Sequence, residues 1–131
     1  QIPESVDLSS YFECKVKPPI SIEDYVNRFN TYIGDCDNLY IYVYIIMQRF
    51  CMNNNTILTD SNVYRIFSIA YICCVKFTSD DLFSMKWYAF ISGMPLSEVI
   101  RLERIFLRSI DWNLIVNPCQ HKYIKDYLNS C

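Results

Sequence analysis

Leu39-Tyr40-Ile41-Tyr42-Val43-Tyr44-Ile45-Ile46-Met47 is the longest unbroken apolar stretch of the chain. Asp37, just before it, is placed to cap a helix running from Asn38 to about Met52, and Asn53-Asn54-Asn55 breaks that helix. A helix that is apolar on every side needs neighbours on every side, so it belongs at the centre of a bundle. The stretch has only about half of the roughly 20 residues that a bilayer span requires, and no signal-peptide pattern opens the chain. No membrane partner is therefore expected.

The composition agrees with a helical bundle. The chain has 131 residues, the length of one domain. It is 52% hydrophobic and 16% aromatic with only two glycines, which leaves little material for the turns of a sandwich or barrel. A net charge of −2 supplies no global field that would draw the protein to phosphate backbones or anionic lipid, so nucleic acid is not an expected partner. Arg49, Arg65, Arg101, Arg104 and Arg108 have acidic residues interspersed among them and read as a solvated surface. The seven cysteines, Cys14, Cys36, Cys51, Cys73, Cys74, Cys119 and Cys131, include no Cys-x-x-Cys and no repeating spacing with histidine, so neither a metal site nor a disulfide framework is read. Reduced thiols in apolar runs imply a reducing compartment, cytoplasm or nucleus. The start at Gln1 reads as a fragment boundary.

Working outward, residues 1–20 carry a short apolar pattern, Val6, Leu8, Tyr11, Phe12 and Val16, that ends at Pro18-Pro19; it reads as an N-terminal arm or short helix packed on the main body. Ser21 with Asp24 approximates a capping box, and Ile20 can staple onto Tyr25. Apolar residues at 22, 25, 26, 29, 32 and 33 then trace one face of a helix that stops at Gly34. Thr59 or Ser61 caps a third helix, apolar at Val63, Ile66, Phe67, Ile69, Ala70, Ile72, Cys73 and Phe77 and ending near Thr78-Ser79-Asp80-Asp81. A fourth runs from Leu82 to Ile91 and closes at Ser92-Gly93; Pro95 opens a fifth through Ile110. After Asn117-Pro118 a last amphipathic helix carries Tyr123, Ile124, Tyr127 and Leu128. The expected fold is all-α: a five-helix bundle at 21–117 around a hydrophobic central helix, the second or third, with a short C-terminal helix at 118–131.

Two charges stand out against this background. Ile72-Cys73-Cys74-Val75-Lys76-Phe77 and Leu102-Glu103-Arg104-Ile105-Phe106-Leu107 place Lys76 and Glu103, of opposite sign, in strongly apolar helices. An ionisable group among apolar neighbours costs several kcal/mol unless it is paired, so such groups belong to a site or to an ion pair. The alternative is plain: Lys76 facing a helix C-terminal dipole, and Glu103 solvated beside Arg104.

The ordered set of stretches resembles a cyclin box, specifically the PHO-type class shared by fungal phosphate-response cyclins and plant P/U-type cyclins. Its carriers are Pro19-Ile20-Ser21-Ile22-Glu23-Asp24-Tyr25, the Asp-Arg-Phe-like Gln48-Arg49-Phe50, Leu58-Thr59-Asp60-Ser61-Asn62-Val63-Tyr64-Arg65, Val75-Lys76-Phe77, and Leu102 to Leu107 with Asp111-Trp112-Asn113-Leu114. Gln48 departs from the usual aspartate, so an ion pair with a helix-one arginine, in the place of Arg28, becomes a neutral contact. Met85, Ser92 and Ile100 stand where this class usually has Asn, Gly and Asn. The substrate-docking motif of cell-cycle cyclins is replaced by Asp24-Tyr25-Val26-Asn27-Arg28-Phe29.

The resemblance implies a non-enzymatic regulatory subunit that activates a cyclin-dependent protein kinase, with no cofactor. It places the kinase-binding face at Lys76, Glu103, Cys73, Phe77, Leu107, Trp112 and Leu114. The second reading is a cyclin-fold transcription adaptor that binds proteins or DNA, a role that favours a basic surface. A third is an enzyme using Cys119 with His121, the one histidine; a nucleophilic thiol needs a nearby base held by a third group, and no further signature surrounds this pair.

Overall fold

A computed structural model describes residues 8–34, 39–79 and 83–130. Among them a 3₁₀ turn, Leu8–Phe12, precedes six α-helices: α1 (Ile22–Ile33), α2 (Leu39–Asn53), α3 (Val63–Thr78), α4 (Met85–Ser92), α5 (Leu96–Ser109) and α6 (Pro118–Asn129). The fold is all-α. No helix among the described residues is long and apolar enough to cross a membrane.

The central helix is α3. Ten consecutive residues, Ile66 to Val75, are buried, and Tyr64 lies beneath them in the same core. It packs on α1, α2, α4, α5 and the 3₁₀ turn, so no face between Ile66 and Val75 is left to water. The uniformly apolar α2 has a different explanation from the one its sequence implies. It is buried on two opposite sides: Leu39, Val43, Ile46 and Phe50 join the main core, whereas Ile41 and Ile45 meet Ile124 of α6 in a second, smaller cluster. Tyr40 remains 41% exposed on a third side.

Aromatic rings fill the main core. Phe50 of α2 stacks on Phe106 of α5 at 4.7 Å, and Phe12 from the 3₁₀ turn meets Phe50 edge-on at 4.9 Å. Phe29, Phe67 and Tyr71 form a second group between α1 and α3. Such pairs contribute about 0.5–1.5 kcal/mol each beyond the area they bury. Phe12 is fully buried, which joins the segment before α1 to the same core.

Several helix ends follow the sequence and several do not. Ser21 caps α1, its hydroxyl accepting from Asp24 N at 3.1 Å, and Asn117 caps α6 by accepting from Cys119 N at 2.7 Å. The start of α3 differs: Asn62 takes the cap position, and its side chain accepts from Thr59 N and donates to Ile57 O. Thr59 and Ser61 bond to one another instead, with Ser61 also reaching Glu13. The fourth helix starts at Met85, because Ser84 accepts from Trp87 N and supplies its cap. Of the four residues that the amphipathic last helix carries, Tyr123 and Tyr127 point outward at 70% and 52% exposure; Ile124 and Leu128 carry the contact with α2. The capping residue Asp37, the arm residue Val6 and the boundary residues Asp80, Asp81 and Leu82 lie outside the described residues.

Burial also sets the alkaline limit of the fold. It holds the Cys73 and Cys74 thiols above their ordinary value of 9.0 and pushes the Tyr25 and Tyr42 hydroxyls from 10.0 up to about 12. In the unfolded chain the thiols ionise first and the phenols next, whereas the folded forms stay protonated, so the native state binds more protons and loses stability as pH rises. The urea midpoint is expected to be flat below pH 9 and to fall progressively between about 9 and 12. A midpoint that held steady through that range would show these four groups to be exposed.

Candidate functional site

Lys76 stands where α3 leaves the core. Val75, one residue earlier, is buried, and Phe77, one residue later, is 55% exposed. Glu103 lies on the flank of α5, between buried Leu102 and exposed Arg104. The two charges meet: Lys76 Nζ donates to Glu103 Oε2 at 2.8 Å, with Met85 Sδ 3.6 Å from the same nitrogen. Glu103 is the more enclosed partner, its side chain 15% exposed against 34% for Lys76. An ammonium has three donors and a carboxylate about four acceptor positions, so the pair keeps unused capacity on both sides.

An apolar surround completes the site. Cys73, one turn before Lys76, is buried beneath it; burial raises its thiol most, the Glu103 carboxylate raises it further, and Lys76 opposes both. Leu114 belongs to the same core. Leu107, one turn after Glu103, is half-buried, and its carbonyl accepts from Trp112 N at 2.8 Å. Trp112 is 64% exposed. The structure thus brings Lys76 and Glu103 into contact, buries Cys73 and Leu114 in the main core, and leaves Phe77 and Trp112 exposed.

Trp112 owes its position to an uncommon turn. Asp111 and Trp112 are consecutive left-handed residues, φ 55° and 59°, and neither is glycine. Each costs on the order of 1–3 kcal/mol, so the surroundings must hold them. Helix α2 does so through carbonyls: Asn53 donates to Ser109 O at 3.2 Å, Arg49 Nη1 to Asn113 O at 2.6 Å, and the Tyr42 hydroxyl to Leu114 O.

A family model for cyclins matches residues 3–114, a span that contains both helices of this site and the turn after α5. The chain belongs to the cyclin family. Within it, this cyclin is 32% identical to Cyclin-P4-1 of Oryza sativa subsp. japonica over 83% of its own length and 52% of that protein. It is 33% identical to Cyclin-U4-2 of Arabidopsis thaliana over 92% of itself and 55% of the relative. The PHO85 cyclin-like protein psl1 of Schizosaccharomyces pombe matches at 30% identity over 81% of this chain and 44% of its own. These are relatives of the PHO and P/U type. The chain spans about half the length of the curated relatives it matches.

Two details of this cyclin differ from the reading of its sequence. Arg28 makes no hydrogen bond with Gln48 among the described residues: it donates to Ile91 O at 2.8 Å and Phe90 O at 3.2 Å, securing the end of α4, while Gln48 bonds to the Tyr44 hydroxyl. Arg49, read as surface charge, is the clamp on the Trp112 turn. The sequence holds no signal for that role, because the carbonyl it meets lies 64 residues away. Cys119 and His121 lie two apart in α6, so they project to different sides of the helix and form no dyad.

The clamp has a measurable consequence. Trp112 and Trp87 are the two tryptophans, so a Trp87→Phe background isolates Trp112 fluorescence. There, Arg49→Met is expected to lower Trp112 anisotropy and to reduce stability by about 1–3 kcal/mol, the range for a hydrogen bond from a charged donor. Anisotropy equal to that of the parent would mean that the turn holds itself.

Proposed function

We propose that this cyclin is the regulatory, non-catalytic subunit of a cyclin-dependent protein kinase and docks through the ends of α3 and α5. The observation that carries the proposal is the Lys76–Glu103 pair at 2.8 Å, partly open to solvent, with exposed Phe77 next to Lys76 in the chain and half-buried Leu107 one turn after Glu103. Its membership of the cyclin family supports the partner class.

The mechanism needs no chemistry from the cyclin. A protein kinase is competent only when the glutamate of its αC helix reaches the strand lysine that positions the ATP phosphates, so placing that helix is the switch. In the proposed complex Lys76 donates to main-chain carbonyls of the kinase and Glu103 accepts from main-chain N–H groups. Hydrogen bonds with one charged member are about twice as strong as neutral ones. Phe77, Leu107 and Trp112 supply apolar anchors around this polar centre, and Cys73 and Leu114 support them from the core. The pre-formed pair keeps both side chains in place before docking, which lowers the ordering cost of association. The reducing compartment inferred from the cysteines, cytoplasm or nucleus, belongs to the same proposal.

Charge exchange separates docking from a purely structural pair. Lys76→Glu and Glu103→Lys alone each place like charges together and are expected to weaken both fold and kinase binding. The double exchange restores an internal bridge and with it the thermal stability. Kinase binding and activation are expected to stay at least about tenfold down, because the donor and acceptor now face the wrong main-chain groups. Full recovery of binding in the double variant would reduce the pair to a structural bridge.

A further inference from the structure

A second surface lies on the adjoining face of α5. Arg101, Arg104 and Arg108, all exposed, border a groove of about 530 Å3 whose apolar members are Tyr11, Ile100 and Ile105. Arg101 lies over the Tyr11 ring at 5.1 Å and shares Glu98 with Arg65. Arg104 and Arg108 have no ion-pair partner among the described residues. Like charges three and four residues apart destabilise a helix by a few tenths of a kcal/mol per pair. In a chain of net charge −2, three guanidinium groups have therefore gathered on one groove at a local cost.

We propose that this groove binds an extended acidic segment of another polypeptide. Charge complementarity selects an anionic occupant, and the dimensions select a peptide. Arg101 to Arg108 span about 10 Å of helix, more than one phosphate group covers, and Arg104 and Arg108 are about 6 Å apart along the axis. Alternate residues of an extended chain recur at about 6.6–7 Å on one face, so carboxylates at every second position match Arg104 and Arg108, which lack ion-pair partners among the described residues. Guanidinium forks bind carboxylates in bidentate fashion. The intervening apolar side chains of such a segment rest on Ile100 and Tyr11, with buried Ile105 beneath them. Glu103 and Leu107, the α5 members of the proposed kinase face, do not border the groove, so both surfaces can be occupied together.

The test uses the full chain and a fluorescent peptide of alternating glutamate and leucine, beside its glutamine counterpart and a single-stranded oligonucleotide of equal charge. Binding of the glutamate peptide alone is expected, weakening as salt rises from about 0.05 M to about 0.5 M. Arg104→Glu with Arg108→Glu is expected to lower its affinity at least about tenfold, and the gentler Arg104→Gln with Arg108→Gln to lower it by a smaller factor at unchanged thermal stability. The proposal is overturned by no peptide binding, by equal binding of the glutamine peptide, by variants that bind as the parent does, or by tighter binding of the oligonucleotide. Kinase binding by the same variants, measured separately, is expected to persist; its loss in the parent would concern the kinase proposal alone.

Discussion

The burial of α3 from Ile66 to Val75 is the constraint on which the rest of the molecule depends. A helix with no solvent face requires a neighbour in every direction, and each buried side chain of Val or Leu size stabilises the fold by about 1.5–3 kcal/mol. Helices α1, α2, α4 and α5 and the 3₁₀ turn take their places to meet that requirement. It also fixes where α3 can carry a charge. Ile66 to Val75 admit none, and Lys76 is the first residue past them, at the point where the helix emerges. Glu103 then has a defined partner, and the ion pair inherits the rigidity of two packed helices.

A scarcity of glycine shapes the helix ends. With two glycines in the chain, only α1 and α4 can finish on them: Gly34 follows α1, and Gly93 at φ 74° closes α4. Elsewhere the chain adopts left-handed backbone with ordinary residues, Asn55 after α2 and Asp111 and Trp112 after α5. Carbonyls exposed at these ends need donors, and long side chains from other helices supply them. Arg28 serves the end of α4, Arg49 and Tyr42 the segment after α5, and the Tyr25 hydroxyl reaches Ser92 O at 2.6 Å. These bonds tie together helices that are distant in sequence, and one of them fixes the exposed Trp112.

The parts of this architecture that were legible in the sequence are those decided locally. The Ser21 and Asn117 caps depend on residues two or three positions away, and the apolar periodicity of α1 and α5 depends on a single face. Lys76 and Glu103 stood out because charge in an apolar run needs a partner, and each is the other's. What stayed hidden depends on distant groups. Uniform apolarity in α2 is the same whether a helix is surrounded or caught between two clusters, and only the position of α6 distinguishes them. Arg28 and Arg49 bond to backbone carbonyls, which carry no side-chain signature to search for.

Net charge is a coarse descriptor for a related reason. A total of −2 describes the potential far from the molecule, whereas binding depends on fields within about a Debye length, roughly 8–10 Å at moderate salt. On α5 the helical period turns Glu103 toward α3 and sets Arg101, Arg104 and Arg108 on the flank that faces Tyr11, where Glu98 pairs with Arg101 alone of the three. Because one residue advances the helix by about 100°, neighbours in sequence such as Glu103 and Arg104 face different surroundings. One helix can thereby present a carboxylate on one side and guanidinium groups on another, with the sum of charges near zero.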